Sequence, residues 1–178
     1  KAVKIFIKSY ICYEAEKMSI PKVIHYCWFG GNPLPKTAKK CMDSWEKYCP
    51  DYKIVQWDES NFNVNCTPYC EKMYNEKKWA FLSDYARLKI IYENGGVYLD
   101  TDVELVKPLD DLLHNQCFMG IDTTFLVNNG LGFGAEKGNV VILALYNGNR
   151  FVGMQKAIYD GQRIVFEPKV DYDSAKVM

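Results

Sequence analysis

Residues 96–104 read Gly-Val-Tyr-Leu-Asp-Thr-Asp-Val-Glu. Asp100 and Asp102 follow three strand-forming residues and are separated by Thr101 alone. If the segment stays extended, both carboxylates point to one face, with α-carbons about 6.6 Å apart. Two like charges at that spacing repel unless something positive lies between or beside them. A divalent cation is the economical solution. Mn²⁺ and Mg²⁺ take oxygen ligands, and such sites commonly use one or two carboxylates with substrate phosphates. Asp84 and Arg87 precede the pair, three residues apart and on one face of any helix that holds them. Arg87 can grip a phosphate with its planar fork of donors, and Asp84 can accept hydrogen bonds from sugar hydroxyls. Each signal alone is weak. Acidic residues are common in the turns after strands, and Asp84 with Arg87 also fits a surface ion pair worth little energy.

The surrounding elements must bring these four residues together. Lys22 to Gly30 is a near-continuous apolar run, the pattern of a strand buried on both faces of a parallel sheet. Gly30 to Pro35 is a loop. Ala38, Cys41, Trp45 and Tyr48 recur at three- and four-residue spacing and predict a helix over 36–48. Residues 53–57 form a second strand candidate, so the chain opens strand, helix, strand, as parallel α/β sheets do. Residues 58–78 read as polar and irregular. A helix follows over 79–96, with Phe81, Tyr85, Leu88 and Ile91/Tyr92 as its stripe and Asn94-Gly95-Gly96 as its stop. Val97 to Leu99 is the next strand, which places Asp100 and Asp102 at its carboxyl end, where open α/β sheets bind ligands. Residues 117–121 and 124–127 predict short strands, 128–139 a turn-rich loop, and 140–145 the start of another helix.

Composition sets the class. The chain has 178 residues and a formal net charge of zero. That length is enough for one domain with a sizeable core, and neutrality gives no reason to expect a nucleic-acid or anionic-membrane partner. No apolar run reaches transmembrane length. Seven scattered cysteines suit reduced thiols in a cytosolic protein better than a disulfide framework. Cys66 and Cys70, with Cys41 and Cys49 upstream, allow a structural zinc site, although the paired C-x2-C units typical of zinc are missing. The alternative is thiols packed as small hydrophobes.

Taken together, residues 20–35, 80–104 and 130–138 resemble the DXD-containing sugar-transferase family. That family groups bacterial capsule and lipopolysaccharide glycosyltransferases with Och1-like mannosyltransferases, and it is distantly similar to the clostridial glucosylating toxins. The Ser-Asp-x-x-Arg helix followed by Gly-Gly-x-Tyr-Leu-Asp-x-Asp carries most of the resemblance, which runs from about Ser19 to Phe151. It implies an α/β, GT-A type nucleotide-sugar-binding fold with a mostly parallel central sheet flanked by helices. It implies a retaining, Mn²⁺- or Mg²⁺-dependent hexosyltransferase in capsule, lipopolysaccharide or other surface polysaccharide synthesis. The donor would be a nucleotide-diphosphate sugar, and the acceptor a glycan or a lipid-linked saccharide. Position by position, the resemblance makes Asp102 the direct metal ligand. Asp100 becomes the residue that meets the ribose, the sugar or the metal through water, so that both aspartates are catalytic. Asp84 and Arg87 match the pair on the donor sugar and phosphate, and Trp28 matches an aromatic that stacks on the nucleotide base. Core packing is the other reading of Trp28.

Residues 1–17 are expected to be an N-terminal extension. Residues 18–178 are expected to be the transferase domain, cut short at its C-terminus, in which donor binding is separable from turnover. The expected location is cytoplasmic, at most peripheral at the inner face of a membrane. His25, inside an apolar run, reads as a satisfied core histidine. The glycines at 130, 132 and 134 do not fit the spacing of a dinucleotide loop, and Asn128-Asn129-Gly130 is expected to form a turn lining the sugar or acceptor side of the cleft. Three rival readings stand beside the transferase. The first is a non-catalytic sugar-nucleotide-binding domain. The second is a sugar-phosphate nucleotidyltransferase, which lacks here its basic glycine-rich loop. The third is a zinc-stabilised module.

Overall fold

A computed structural model of the chain describes residues 20–120 and 129–139, and the backbone of 157–159 and 164–166. In chain order the main elements are β1 (Val23–Cys27), α1 (Lys36–Tyr48), β2 (Lys53–Trp57), α2 (Pro68–Asn75), α3 (Trp79–Asn94), β3 (Gly96–Tyr98), β4 (Cys117–Met119) and β5 (Phe133–Ala135). A two-stranded ribbon, β6 (Ala157–Tyr159) with β7 (Ile164–Phe166), completes them. The central sheet has the order β2-β1-β3-β5-β4. β1 runs parallel to β2 and to β3, whereas β5 runs antiparallel to β3 and to β4. The parallel character expected from the sequence therefore belongs to the half of the sheet that ends near the aspartates. Among the described residues no helix is long and apolar enough to cross a membrane.

Strand periodicity divides the core in two. Ile24 and Tyr26 of β1, Val97 of β3 and the following Leu99 pack with Trp45 and Leu113 on the α1 side. Cys27, Tyr98 and Phe133 pack with Leu82, Tyr85 and Ile91 on the α3 side. Alternate residues of one strand thus feed opposite layers.

The α3–β3 joint fixes the position of the aspartates. Gly95 closes the helix, its N–H donating to Ile91 O at 2.8 Å, and Gly96 begins the strand at φ +104°. A Cβ on Gly96 would sit 2.8 Å from Val23 O and 2.9 Å from His25 Nε2. Only glycine allows both this conformation and this close approach to β1.

Four local expectations need correction. Residues 58–78 are not wholly irregular, because Pro68–Asn75 is a helix. Thr67 Oγ1 accepts the Cys70 N–H at 3.1 Å and Pro68 occupies the first turn, which together form an N-terminal signature. The loop expected over 128–139 contains β5, and a Cβ on Gly134 would meet Phe118 at 2.5 Å. Close strand packing, rather than a ligand, accounts for that glycine. Phe81, placed in the buried stripe of α3, is 54% exposed, and Leu82 takes the core position. Finally, the chain does not stay extended through Asp102. Val103 N–H donates to Asp100 O at 3.0 Å, so Asp100 to Val103 is a turn. The strand expected at 124–127 and the helix expected at 140–145 lie outside the described residues.

Candidate functional site

β1, β2 and β3 run parallel and end at one edge of the sheet. Trp28, Glu59 and Asp100 follow their last residues. Glu59 Oε1 accepts the Gly30 N–H at 2.7 Å, which ties the loop after β1 to the loop after β2.

Arg87 organises this edge. It is 5% exposed, although it lies on a helix, so the surface ion-pair reading fails. Its Nε–H donates to Ser83 O at 3.2 Å. Nη2 lies 2.9 Å from Asp84 Oδ1 and 3.3 Å from Asp100 Oδ1. Nη1 donates to Asp100 Oδ2 and to Asn129 Oδ1, each at 3.4 Å. The guanidinium carbon stands 5.0 Å from the centroid of the Tyr98 ring, a cation–π distance. The Tyr98 hydroxyl in turn donates to Asp100 Oδ1 at 3.0 Å. The fork that the sequence reading assigned to a phosphate therefore faces acceptors of this chain from every donor nitrogen.

Asp84 and Asp100 keep partly exposed side chains, 27% and 31%. Burial pushes the carboxyls of both above the ordinary range, with Arg87 pulling them back. Asp102 pushes Asp100 further up. Two carboxylates share one guanidinium, and Asp102 in the adjoining turn leaves this edge with excess negative charge.

That charge balance suits a cation. Asp102 is exposed, and among the described residues its carboxylate takes part in no hydrogen bond or ion pair. No group of three or more His, Cys, Asp or Glu side chains gathers into a cation cage among the described residues. Exposed Asp102 and part-exposed Asp100 are the carboxylates here that could hold a hard divalent ion, with water and phosphate oxygens completing its shell.

Four sequence-predicted groups thus converge at the end of β3: Asp84, Arg87 and Asp100 in contact, and Asp102 in the adjoining turn. Asn129 joins them from the predicted cleft turn. Trp28 shares the edge but packs against the α1-side core, opposite the arginine cluster; its indole N–H donates to Asn32 O at 2.6 Å. Tyr98 was missed, although period-two alternation puts it on the same face as Asp100. The sheet also parts the cysteines considered for zinc, with Cys49 in one core and Cys70 in the other. His25 is a satisfied core residue. Its Nε2 lies 3.0 Å from Gly95 O, and its Nδ1 accepts the Trp57 indole N–H at 2.9 Å. Burial drives its pKa down to about 4, partly countered by Gly95 O.

Residues 35–119 match the family model of the glycosyltransferase sugar-binding region containing the DXD motif. Over that span the chain is similar to DXD-type sugar transferases. The chain is 33% identical over 144 residues to inositol phosphoceramide mannosyltransferase 3 of Schizosaccharomyces pombe, covering 74% of this chain and 37% of that protein. It is 28% identical over 114 residues to the initiation-specific alpha-1,6-mannosyltransferase of Candida albicans, covering 56% of this chain and 29% of the relative. It spans well under half the length of either relative. Among solved structures, the PaToxG glycosyltransferase aligns with a TM-score of 0.55 at 20% identity, over 72% of this chain and 58% of the other. The fold is of the GT-A type.

Proposed function

We propose that this chain moves a hexose from a nucleoside diphosphate donor to a saccharide acceptor, with retention at the anomeric carbon. One observation supports this most strongly: a buried arginine holds Asp84 and Asp100 side by side at a strand end, next to the exposed Asp102. Asp102, with Asp100 behind it, would hold Mn²⁺ or Mg²⁺, which when bound neutralises the charge growing on the leaving diphosphate. Asp84 offers a fixed acceptor to donor-sugar hydroxyls. Arg87 orients both acids and lends positive potential to the diphosphate side. Trp28 offers an aromatic face to the base.

Mannose is the sugar named in the relatives and is our first choice of donor sugar. Those names point to a glycolipid and to a glycan, while the sequence resemblance points to capsule or lipopolysaccharide. The acceptor class common to them is a glycan or lipid-linked saccharide, and we take that as the substrate class. We place the reaction at the cytoplasmic face of a membrane. The seven cysteines are odd in number and scattered along the sequence, the usage that favours a reducing compartment.

The test is calorimetric titration of nucleotide sugars, GDP-mannose first, with and without Mn²⁺, beside a transfer assay on simple saccharides and glycolipids. Metal-dependent donor binding with transfer is expected. Donor binding without turnover on any acceptor would favour a non-catalytic donor-binding domain. The absence of binding by any nucleotide sugar would overturn both.

A further inference from the structure

Cys66 and Cys70 stand apart from the donor edge. Cys66 precedes the N-cap Thr67 of α2, and Cys70 lies in the first helical turn, its N–H held by the Thr67 hydroxyl. Their sulfurs are 3.6 Å apart, in hydrogen-bonding contact. Cys66 is half-buried and Cys70 fully buried. We propose that this pair is a hydroperoxide-reactive dithiol, with Cys66 as the nucleophile and Cys70 as the resolving thiol.

The surroundings match the division of labour. The hydrogen bond from Cys70 lowers the Cys66 thiol to about 7 against the effect of burial, helped by the Lys89 charge and the Tyr85 hydroxyl. The same bond, with burial, keeps the proton on Cys70. A helix N-terminus adds to the stabilisation of thiolate at such a position. Cys27 lies buried and Cys117 half-buried, with desolvation pushing both thiols up to about 12, and burial also raises Cys41 and Cys49. The chemistry balances without a cofactor. The Cys66 thiolate attacks a peroxide oxygen, forming S–O as O–O breaks, and the departing alkoxide or hydroxide takes up a proton. Cys66 is thereby oxidised to the sulfenic acid and the peroxide is reduced. Cys70 sulfur then attacks Cys66 sulfur, forming S–S as S–O breaks, and the hydroxyl leaves as water with the Cys70 proton. Only a modest side-chain movement separates the present sulfur contact from a bond.

This inference does not rest on glycosyl transfer, so either reading survives failure of the other. The test titrates the reduced, intact protein with hydrogen peroxide, quenches with an alkylating reagent and maps the peptides. A Cys66–Cys70 disulfide is expected, reversible by dithiothreitol, before any of the other cysteines loses alkylation. In Cys70→Ser, dimedone should label Cys66; in Cys66→Ser, dimedone should leave Cys70 unlabelled. Oxidation of another cysteine first, or sulfinic acid at Cys66 without the disulfide in the unsubstituted protein, would overturn the site. Equal dimedone labelling of Cys70 in Cys66→Ser would overturn the assigned roles.

Discussion

The two faces of the sheet are made by the same strands but hold different chemistry. The α1 face is a plain core. Among its buried polar side-chain groups, Trp45 Nε1–H meets Val103 O at 2.8 Å, Ser44 Oγ accepts Leu105 N–H at 2.9 Å and the Tyr26 hydroxyl donates to Gln56 Oε1 at 2.7 Å, while the Tyr52 hydroxyl is left without a partner among the described residues. The α3 face buries His25, Arg87 and Tyr98, with Asp84 and Asp100 at its margin. Burying charge costs stability unless each charge is paired. A fold that concentrates such groups on one side of one sheet edge has placed its working surface there. The α1 face then serves mainly as the support that keeps this edge in register, with Trp28 at its margin as the one residue on that side assigned to the donor.

Substitutions on each face should separate these roles. The largest stability loss is expected from Trp45→Ala. Trp45 is fully buried and packs edge-on to Tyr26 at 5.8 Å. Its removal leaves a cavity and an unpaired carbonyl, at a cost of about 4 kcal/mol. Chemical denaturation should show that loss, while whatever fraction remains folded keeps its donor affinity. A folded Trp45→Ala protein that failed to bind would break the assignment of this face to support.

Arg87→Met comes next. It leaves Asp84 and Asp100 facing each other without a cation. About 3 kcal/mol should be lost at neutral pH, the low end for breaking a buried pair, because both acids keep some solvent. Unlike Trp45→Ala, this variant should regain part of its stability as pH falls and the two acids protonate. A pH-independent loss would make Arg87 a packing residue only.

His25 gives a third contrast. Its folded pKa of about 4 lies below the ordinary value of 6.5. Its contribution is therefore complete above pH 6.5 and lost as pH falls from 6.5 towards 4, where the buried ring must charge. A displacement of that size is worth up to roughly 3 kcal/mol. Comparing denaturation at pH 7.5 and pH 4.5 in the parent and in His25→Gln should show a shallower acid decline in the variant. Equal declines would mean that other groups govern acid stability.

These contrasts track what was legible in the sequence. α1 was readable because its three- and four-residue stripe matches the face that packs on the sheet. The α3–β3 joint was readable because an Asn-Gly-Gly stop has few other uses. α2 was missed because in eight residues only Cys70 and Met73 make a buried stripe, too short to stand out, and its helix depends on the Thr67 cap and on packing against α3. β5 was missed because glycines that let strands approach look the same as glycines that make turns. Arg87 and Asp84 three apart read alike on a surface or in a core, and only tertiary packing places Tyr98 beneath the guanidinium. The Asp100–Val103 turn was hidden because strand alternation assumes an extended chain, and nothing in Asp-Thr-Asp says where extension stops.

That turn motivates the substitution with the smallest effect on stability and the sharpest effect on function. Asp102 is exposed and carries no protein partner among the described residues, so Asp102→Asn should change stability by less than about 0.5 kcal/mol. Asp100→Asn should cost more, since Asp100 meets Arg87 and Tyr98. For Mn²⁺-dependent donor binding the order should reverse, or at least equalise. Loss of outer-sphere partners alone weakens metal sites roughly 10–100-fold, and Asp102 is assigned a direct contact, so its loss should reach that range or exceed it. Calorimetry on both variants, with thermal midpoints from the same preparations, makes the comparison. A stable Asp102→Asn protein that binds donor and Mn²⁺ as the parent does would remove the metal from this carboxylate. The excess negative charge beside Arg87 would then need a different occupant, and the donor-sugar hydroxyls at Asp84 and Asp100 would be the first place to look.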